Sequence, residues 1–260
     1  MDKVTIKLQG GLGNYLFQIA VTYSYAKKYN KTPLFSADKA IRVHKPINVY
    51  RDNILRKINF NGDINGTYKT YNEPKFSYSE IPNIDGSVFL DGYYQSEKYF
   101  SKYSDDIRDL FSITPELNEE ISEKYRDILA GKTCSLHVRR GDYVRLSEHH
   151  PPCPISYYQS AMKLMPEDTK YLVFSDDMVW CKENLIGDNF IFIENNTDIF
   201  DLYVMSLCDN NIIANSSFSW WGAWLNDNVN KIVVAPSNWF GPAKKGLDTK
   251  DVYGEKWVKI

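Results

Sequence analysis

The sequence predicts an α/β protein whose parallel strands are covered on both faces, and three observations carry that expectation. Short apolar runs at 171–174, 190–193, 211–214 and 232–235 alternate with stretches of helical pattern. Runs without polar alternation suit strands buried on both faces. The chain also opens as a strand, a glycine turn and a helix, and several later strands stop on clusters of polar side chains. Open sheets of this class bind ligands outside the carboxyl ends of their strands, so polar residues there are candidates for chemistry.

Taken in order, Lys3-Val4-Thr5-Ile6-Lys7-Leu8 alternates as a strand, Gln9-Gly10-Gly11-Leu12-Gly13-Asn14 breaks it, and 15–29 reads as a helix. The turn lacks the third glycine of the dinucleotide fingerprint, because Gly11-Leu12-Gly13 continues into Asn14-Tyr15-Leu16, so bound NAD is not expected. Glycine still lets a ligand approach the backbone, and Asn14 either caps the helix or offers its amide to a ligand. Residues 30–86 are poorly periodic, with prolines and Asn-Gly or Asp-Gly steps, and read as short strands and loops. A strand at 87–94 and a helix at 101–111 follow. A break near Ile113-Thr114-Pro115 divides an N-terminal lobe, 1–113, from a C-terminal lobe, 114–260.

The second lobe is more regular. A helix at 115–130 ends at Gly131, and Thr133-Cys134-Ser135-Leu136-His137-Val138-Arg139 follows as a strand. On it Cys134, Leu136 and Val138 share a packing face, while Ser135, His137 and Arg139 share a face expected to receive a ligand. Gly141 supplies a turn, so Arg140, Asp142 and Tyr143 leave the strand at its carboxyl end. Two adjacent arginines suit phosphate oxygens, and Asp142 either holds one guanidinium or accepts a proton. The alternative is a strand-end salt bridge in a solvated surface. Helices at 154–165, 198–208 and 220–225 separate the remaining strands. Asn215-Ser216-Ser217-Phe218 then offers hydroxyls and backbone N–H groups at a helix start, a phosphate site with Arg139 as its cation. In Ser175-Asp176-Asp177 a carboxylate either accepts from a guanine edge or ribose hydroxyls, or caps a helix. A divalent-metal role for Asp176 and Asp177 ranks below nucleotide contact, since arginines and helix N–H groups already neutralise a diphosphate.

Composition narrows the class. Thirty-one Lys and Arg against thirty-three Asp and Glu leave a net charge of -2, which argues against a broad nucleic-acid or polybasic membrane surface. No apolar run approaches the ~18 residues that span a bilayer, and 1–4 lead straight into a strand. The expectation is a cytoplasmic protein, any contact with the inner membrane being peripheral. Cys134, Cys153, Cys181 and Cys208 are far apart, so buried free thiols are expected rather than disulfides or zinc. His149 and His150, in a proline-rich loop with Cys153, read as surface residues.

Five ordered motifs then carry a family resemblance: Gly10-Gly11-Leu12-Gly13-Asn14, Asp91-Gly92-Tyr93-Tyr94-Gln95-Ser96-Glu97-Lys98-Tyr99-Phe100, His137-Val138-Arg139-Arg140-Gly141-Asp142-Tyr143, Phe174-Ser175-Asp176-Asp177 and Asn215-Ser216-Ser217-Phe218-Ser219-Trp220-Trp221-Gly222-Ala223-Trp224-Leu225. Together they resemble the family 11 α-1,2-fucosyltransferases from Val4 to about Phe240. The resemblance implies a two-lobed glycosyltransferase B-type fold with Rossmann-like sheets. It also implies an inverting, metal-independent transfer of L-fucose from GDP-L-fucose to the 2-hydroxyl of a terminal galactoside, in surface-glycan synthesis such as that of O-antigen. It assigns His137, Arg139, Arg140, Asp176, Asp177, Asn215, Ser216, Ser217 and Phe218, with Gly11 and Gly13, to the donor. Arg139, Asp142 and Asn14 are the catalytic candidates. Tyr15 departs from the family, which usually has glutamine there, and the loops between Asn30 and Gly86 match no family motif and are expected to set acceptor choice. A transferase for another nucleotide sugar and a non-catalytic sugar- or nucleotide-binding module are the alternatives.

Overall fold

The computed structural model describes residues 1–37, 41–43, 45–60, 62 and 64–260, with 41–43 described by backbone alone. Parts of the loops expected to set acceptor choice therefore lie outside the described residues. The chain forms two compact units, Met1–Thr114 with Leu247–Gly254, and Pro115–Gly246 with Glu255–Ile260.

The first unit contains, in chain order, β1 (Lys3–Ile6), β2 (Gln9–Gly10), α1 (Leu12–Lys28), β3 (Thr32–Pro33), β4 (Ile41–Val43), β5 (Lys69–Asn72), β6 (Val88–Asp91) and α2 (Ser104–Leu110). Its main sheet runs β3-β1-β6-β5, every pair parallel, and β2 pairs with β4 separately. Nearly every side chain of α1 from Leu12 to Ala26 is buried, which matches its apolar residues lying all around the axis. The helix starts before the expected residue 15. Gly11, in extended conformation, is the N-cap, and its carbonyl accepts the N–H groups of Asn14 at 2.9 Å and Tyr15 at 3.1 Å. Asn14 thus lies inside the first turn and is not the cap. Tyr15 is a core residue with no exposed surface, edge-on to Tyr50. Asp251, from the returning segment, accepts the Tyr78 N–H at 3.0 Å and pairs with Lys98 at 2.6 Å.

The second unit contains α3 (Pro115–Leu129), β7 (Thr133–Val138), α4 (Ile155–Met162), β8 (Lys170–Ser175), α5 (Met178–Asn184), β9 (Phe190–Phe192), α6 (Asp198–Leu207), β10 (Asn210–Ile212), α7 (Ser217–Leu225), β11 (Val233–Ala235) and β12 (Val258–Lys259). Its parallel sheet runs β12-β11-β10-β7-β8-β9. Counted along the chain, the first strand lies centrally, with the second and third on one side and the fourth to sixth on the other, the doubly wound order. All six residues of β7 are buried. The face expected to receive a ligand is therefore internal: Ser135 Oγ accepts from Asn211 Nδ2 at 2.7 Å, because helices cover a central parallel strand on both sides. Strands β2, β4 and β12 are too short to leave a periodic signature, and only Asp177, as a cap, announces α5.

Candidate active site

In the second unit the strand order reverses between β7 and β10, and the residues leaving their carboxyl ends form one polar cluster. The register Val138↔Ser175 brings the segment after β8 alongside the segment after β7. Asp176 and Asp177 consequently meet the two arginines. Arg139 Nη2 lies 2.6 Å from Asp142 Oδ1, and Nη1 lies 3.0 Å from Asp176 Oδ2. Arg140 donates its backbone N–H to Asp176 Oδ1 at 2.8 Å and its Nε–H to Asp177 Oδ2 at 3.0 Å. A side chain at position 141 would collide with Asp176 Oδ2, so the glycine of this turn admits the carboxylate. Asp177 also caps α5 by accepting the Trp180 N–H at 3.2 Å, and the Arg140 guanidinium lies over the Trp180 ring at 4.3 Å. Both carboxylates thus hold arginines in place, and Asp177 fills the helix-cap role weighed for it from sequence.

Beside this cluster, Ser216 caps α7 by accepting the Phe218 N–H at 3.3 Å, which sets Ser217 and Phe218 in the first turn. The Phe218 ring lies 5.7 Å from His137. His137 is 6% exposed and its Nδ1 has no hydrogen-bond partner. Burial, aided by the Arg139 charge, lowers its pKa to about 3 and keeps the imidazole neutral. Asn215 is turned inward: its Nδ2 donates to the carbonyls of Pro151 at 3.0 Å and Trp239 at 3.2 Å, fastening two loops. Its own carbonyl accepts from Tyr143 Oη at 3.2 Å.

Sequence reading missed the wall behind Arg139. Tyr143 lies under the guanidinium at 5.2 Å and stacks on His150 at 5.0 Å. His150 contacts Phe240 and sits 2.9 Å from Lys244 Nζ. It is half-buried rather than a surface residue, and burial followed by the Lys244 charge lowers its pKa to about 4. Nothing local in the loop around Lys244 announces this contact, which joins residues 94 positions apart. The four cysteines are buried free thiols. Among the described residues no group of three or more His, Cys, Asp or Glu side chains is arranged to hold a metal ion, and no helix is long and apolar enough to cross a membrane.

The first unit carries a second polar cluster around its glycine turn. Gly10 has φ +92°, and a side chain there would collide with Asn14 Nδ2, so only glycine fits. Asn14 Oδ1 accepts from Gln95 Nε2 at 2.7 Å. Gln18 accepts the Gln9 N–H at 3.0 Å and reaches the carbonyls of Gln9 and Gly92. Gly11 and Gly13 belong to the start of α1. Gln18, Gln95 and Glu73, whose Oε2 and Oε1 accept the Tyr93 and Tyr94 N–H groups at 2.8 and 3.0 Å, are the residues around this turn that sequence reading did not select.

The family model described as Glycosyl transferase family 11 matches residues 1–260. Among curated proteins, an alpha-1,2-colitosyltransferase of Escherichia coli is 34% identical across 100% of this chain and 99% of its own. The O-antigen biosynthesis glycosyltransferase WbnK of Escherichia coli is 28% identical over 97% of this chain and 99% of its own. A galactoside 2-alpha-L-fucosyltransferase of Caenorhabditis elegans is 30% identical over 88% and 70%. Among solved structures, the fucosyltransferase NodZ from Bradyrhizobium superposes with a TM-score of 0.59 at 13% identity, over 85% of this chain and 91% of its own. The α/β class with parallel Rossmann-like sheets is thus the glycosyltransferase B-type fold.

Proposed function

The chain belongs to glycosyltransferase family 11, and from that premise we propose that it transfers L-fucose from GDP-L-fucose to the 2-hydroxyl of a terminal galactoside, with inversion and without a metal. The observation that carries this reading is the Arg139–Arg140 pair at the strand-order reversal, each guanidinium held by a carboxylate and retaining further N–H donors. A diphosphate leaving group gains charge as its bond to the anomeric carbon breaks, and donors fixed in advance stabilise that charge selectively. Arg139 takes the diphosphate, with the N-terminal turn of α7 beside it. His137, held neutral by burial, backs the Phe218 ring at the start of α7. Asp142 and Asp176 orient the guanidinium, and the arginines supply the positive charge that a metal supplies elsewhere. Names borne by relatives support the donor class: one is a galactoside 2-alpha-L-fucosyltransferase, and NodZ was soaked with GDP-fucose. The 34% identity to an alpha-1,2-colitosyltransferase favours a second donor, a GDP-linked colitose.

Incubation with GDP-fucose or GDP-colitose and a galactoside panel, with excess EDTA, tests the reading. The expected result is free GDP and an α-1,2-linked product from one donor. GDP release that requires added manganese would instead promote Asp176 and Asp177 to metal ligands. Nucleotide binding without product would make the protein a recognition module.

A further inference from the structure

Arg140 leaves its strand beside Arg139, yet its side chain is held in a different way. Its Nε–H donates to Asp177 Oδ2 at 3.0 Å, its backbone N–H donates to Asp176 Oδ1 at 2.8 Å, and the flat guanidinium lies over the Trp180 ring at 4.3 Å. Backbone, Nε and ring face together fix the plane of the fork. Among the described residues neither terminal nitrogen of Arg140 has a partner, whereas both Nη nitrogens of Arg139 are shared with Asp142 and Asp176. An arginine that served only to tie the end of β7 to α5 would turn those doubly hydrogen-bearing nitrogens to the carboxylates as well. Here they stay uncommitted on a side chain that keeps 21% of its surface exposed.

Trp180 is the third residue of α5, and the local sequence puts it there. Asp177 Oδ1 accepts the Trp180 N–H at 3.2 Å and caps the helix, while Oδ2 of the same carboxylate takes Arg140. One side chain thus fixes the helix start and the guanidinium to each other. Asn184 Nδ2 donates to the Trp180 carbonyl at 2.9 Å, so these hydrogen bonds at position 180 belong to the backbone. The indole is left to pack, half-buried, against the apolar core, with Arg140 on its face. A long arginine side chain loses rotamer freedom when it binds a ligand, and a rigid aromatic wall removes that loss in advance. Cation–π attraction keeps the guanidinium flat on the ring, so the indole sets the plane in which the Nη groups donate. All of these residues belong to the second unit.

We propose that Trp180 is a positioning residue for the diphosphate of the donor and acts through Arg140; this rests on the function proposed above. The uncommitted Nη groups of Arg140 donate to phosphate oxygens beside Arg139, and Trp180 holds the fork in the orientation from which they do so.

A double-mutant cycle read by GDP calorimetry tests this. Trp180→Leu keeps an apolar side chain and the backbone bonds of the helix start but removes the ring face, and it should weaken GDP binding about 3- to 10-fold. In an Arg140→Gln background the same substitution should change GDP affinity by less than about twofold, because the group through which Trp180 acts is gone. Trp180→Phe, which keeps a ring face without the indole N–H, should bind GDP within about twofold of wild type. Unchanged GDP affinity in Trp180→Leu would overturn the assignment. So would an equal loss in both backgrounds, or a loss in Trp180→Phe as large as in Trp180→Leu. If the urea midpoint shows the leucine variant to be unfolded, Trp180→Met, which fills more of the volume with a flexible chain, takes its place in the cycle. Wild type that binds no GDP sinks the proposed function and Trp180 with it, whereas GDP bound equally by wild type and Trp180→Leu removes Trp180 alone.

Discussion

Arg139 is gripped from two sides before any ligand arrives, by Asp142 at 2.6 Å and Asp176 at 3.0 Å. A planar fork can satisfy both carboxylates and still present N–H donors, which a lysine ammonium on a flexible stem cannot. Arg139→Ala should therefore lower turnover about 10²- to 10³-fold and weaken GDP binding, and Arg139→Lys should restore little of either. Calorimetry with GDP and single-turnover kinetics measure both, and near-native turnover in the lysine variant would remove Arg139 from the diphosphate. Asp142 makes a separate prediction. As an organiser it acts through Arg139, so Asp142→Asn should weaken GDP affinity and turnover together. Native GDP affinity with chemistry slowed by about 10²-fold or more would identify Asp142 as the base.

At the scale of elements, α7 must deliver its N-terminal turn to the cluster, and its placement depends on close packing against α6. Gly222 faces Met205 across that contact, and a Cβ at 222 would lie 2.9 Å from Met205 Cβ and 3.1 Å from its Sδ. Alanine gains about 1 kcal/mol of helix propensity over glycine, while overpacking a filled core costs about 1–3 kcal/mol. Met205 is 1% exposed and Trp220 and Trp221 are fully buried, so the site has little room to relax and the packing cost should win. Gly222→Ala should thus lower the urea midpoint and, by shifting Ser217 and Phe218, weaken GDP binding. A variant as stable as wild type would mean that the helices part without cost.

The whole molecule should respond to acid through its buried histidines. His137 titrates near 3 and His150 near 4 in the folded chain, against an ordinary value of 6.5. Below that ordinary value the unfolded chain binds protons that the folded chain refuses, so stability falls as pH drops through the window between the two values. Fully buried His137 contributes at most about 1.4 kcal/mol per pH unit, and half-exposed His150 contributes less because solvent screens it. Glu73 runs the other way: with its pKa raised to about 7 from 4.5, its contribution is complete below 4.5 and is lost as pH rises through 7. Urea midpoints between about pH 4 and about pH 8 should decline on the acid side, and less steeply in His150→Gln. An identical acid slope in that variant would show that His150 does not titrate in this window.

The parallel α/β class, the strands that end in polar residues and the Arg139-Arg140-Gly141-Asp142 turn were legible along the chain, because each is a local matter of side-chain period and glycine placement. Even the i,i+3 pairing of Arg139 with Asp142 was within reach of sequence reading. What Asp176 and Asp177 bind was not, since it depends on β8 lying next to β7 in the register Val138↔Ser175. The same holds for Glu73, which meets Tyr93 and Tyr94 only through the pairing of β5 with β6, and for His150, which meets Lys244 across two loops. Periodicity says that a strand exists and which of its faces packs. Strand order and register follow from how distant segments bury their apolar faces together, and here they decide which carboxylates clamp arginines and which fastens a turn.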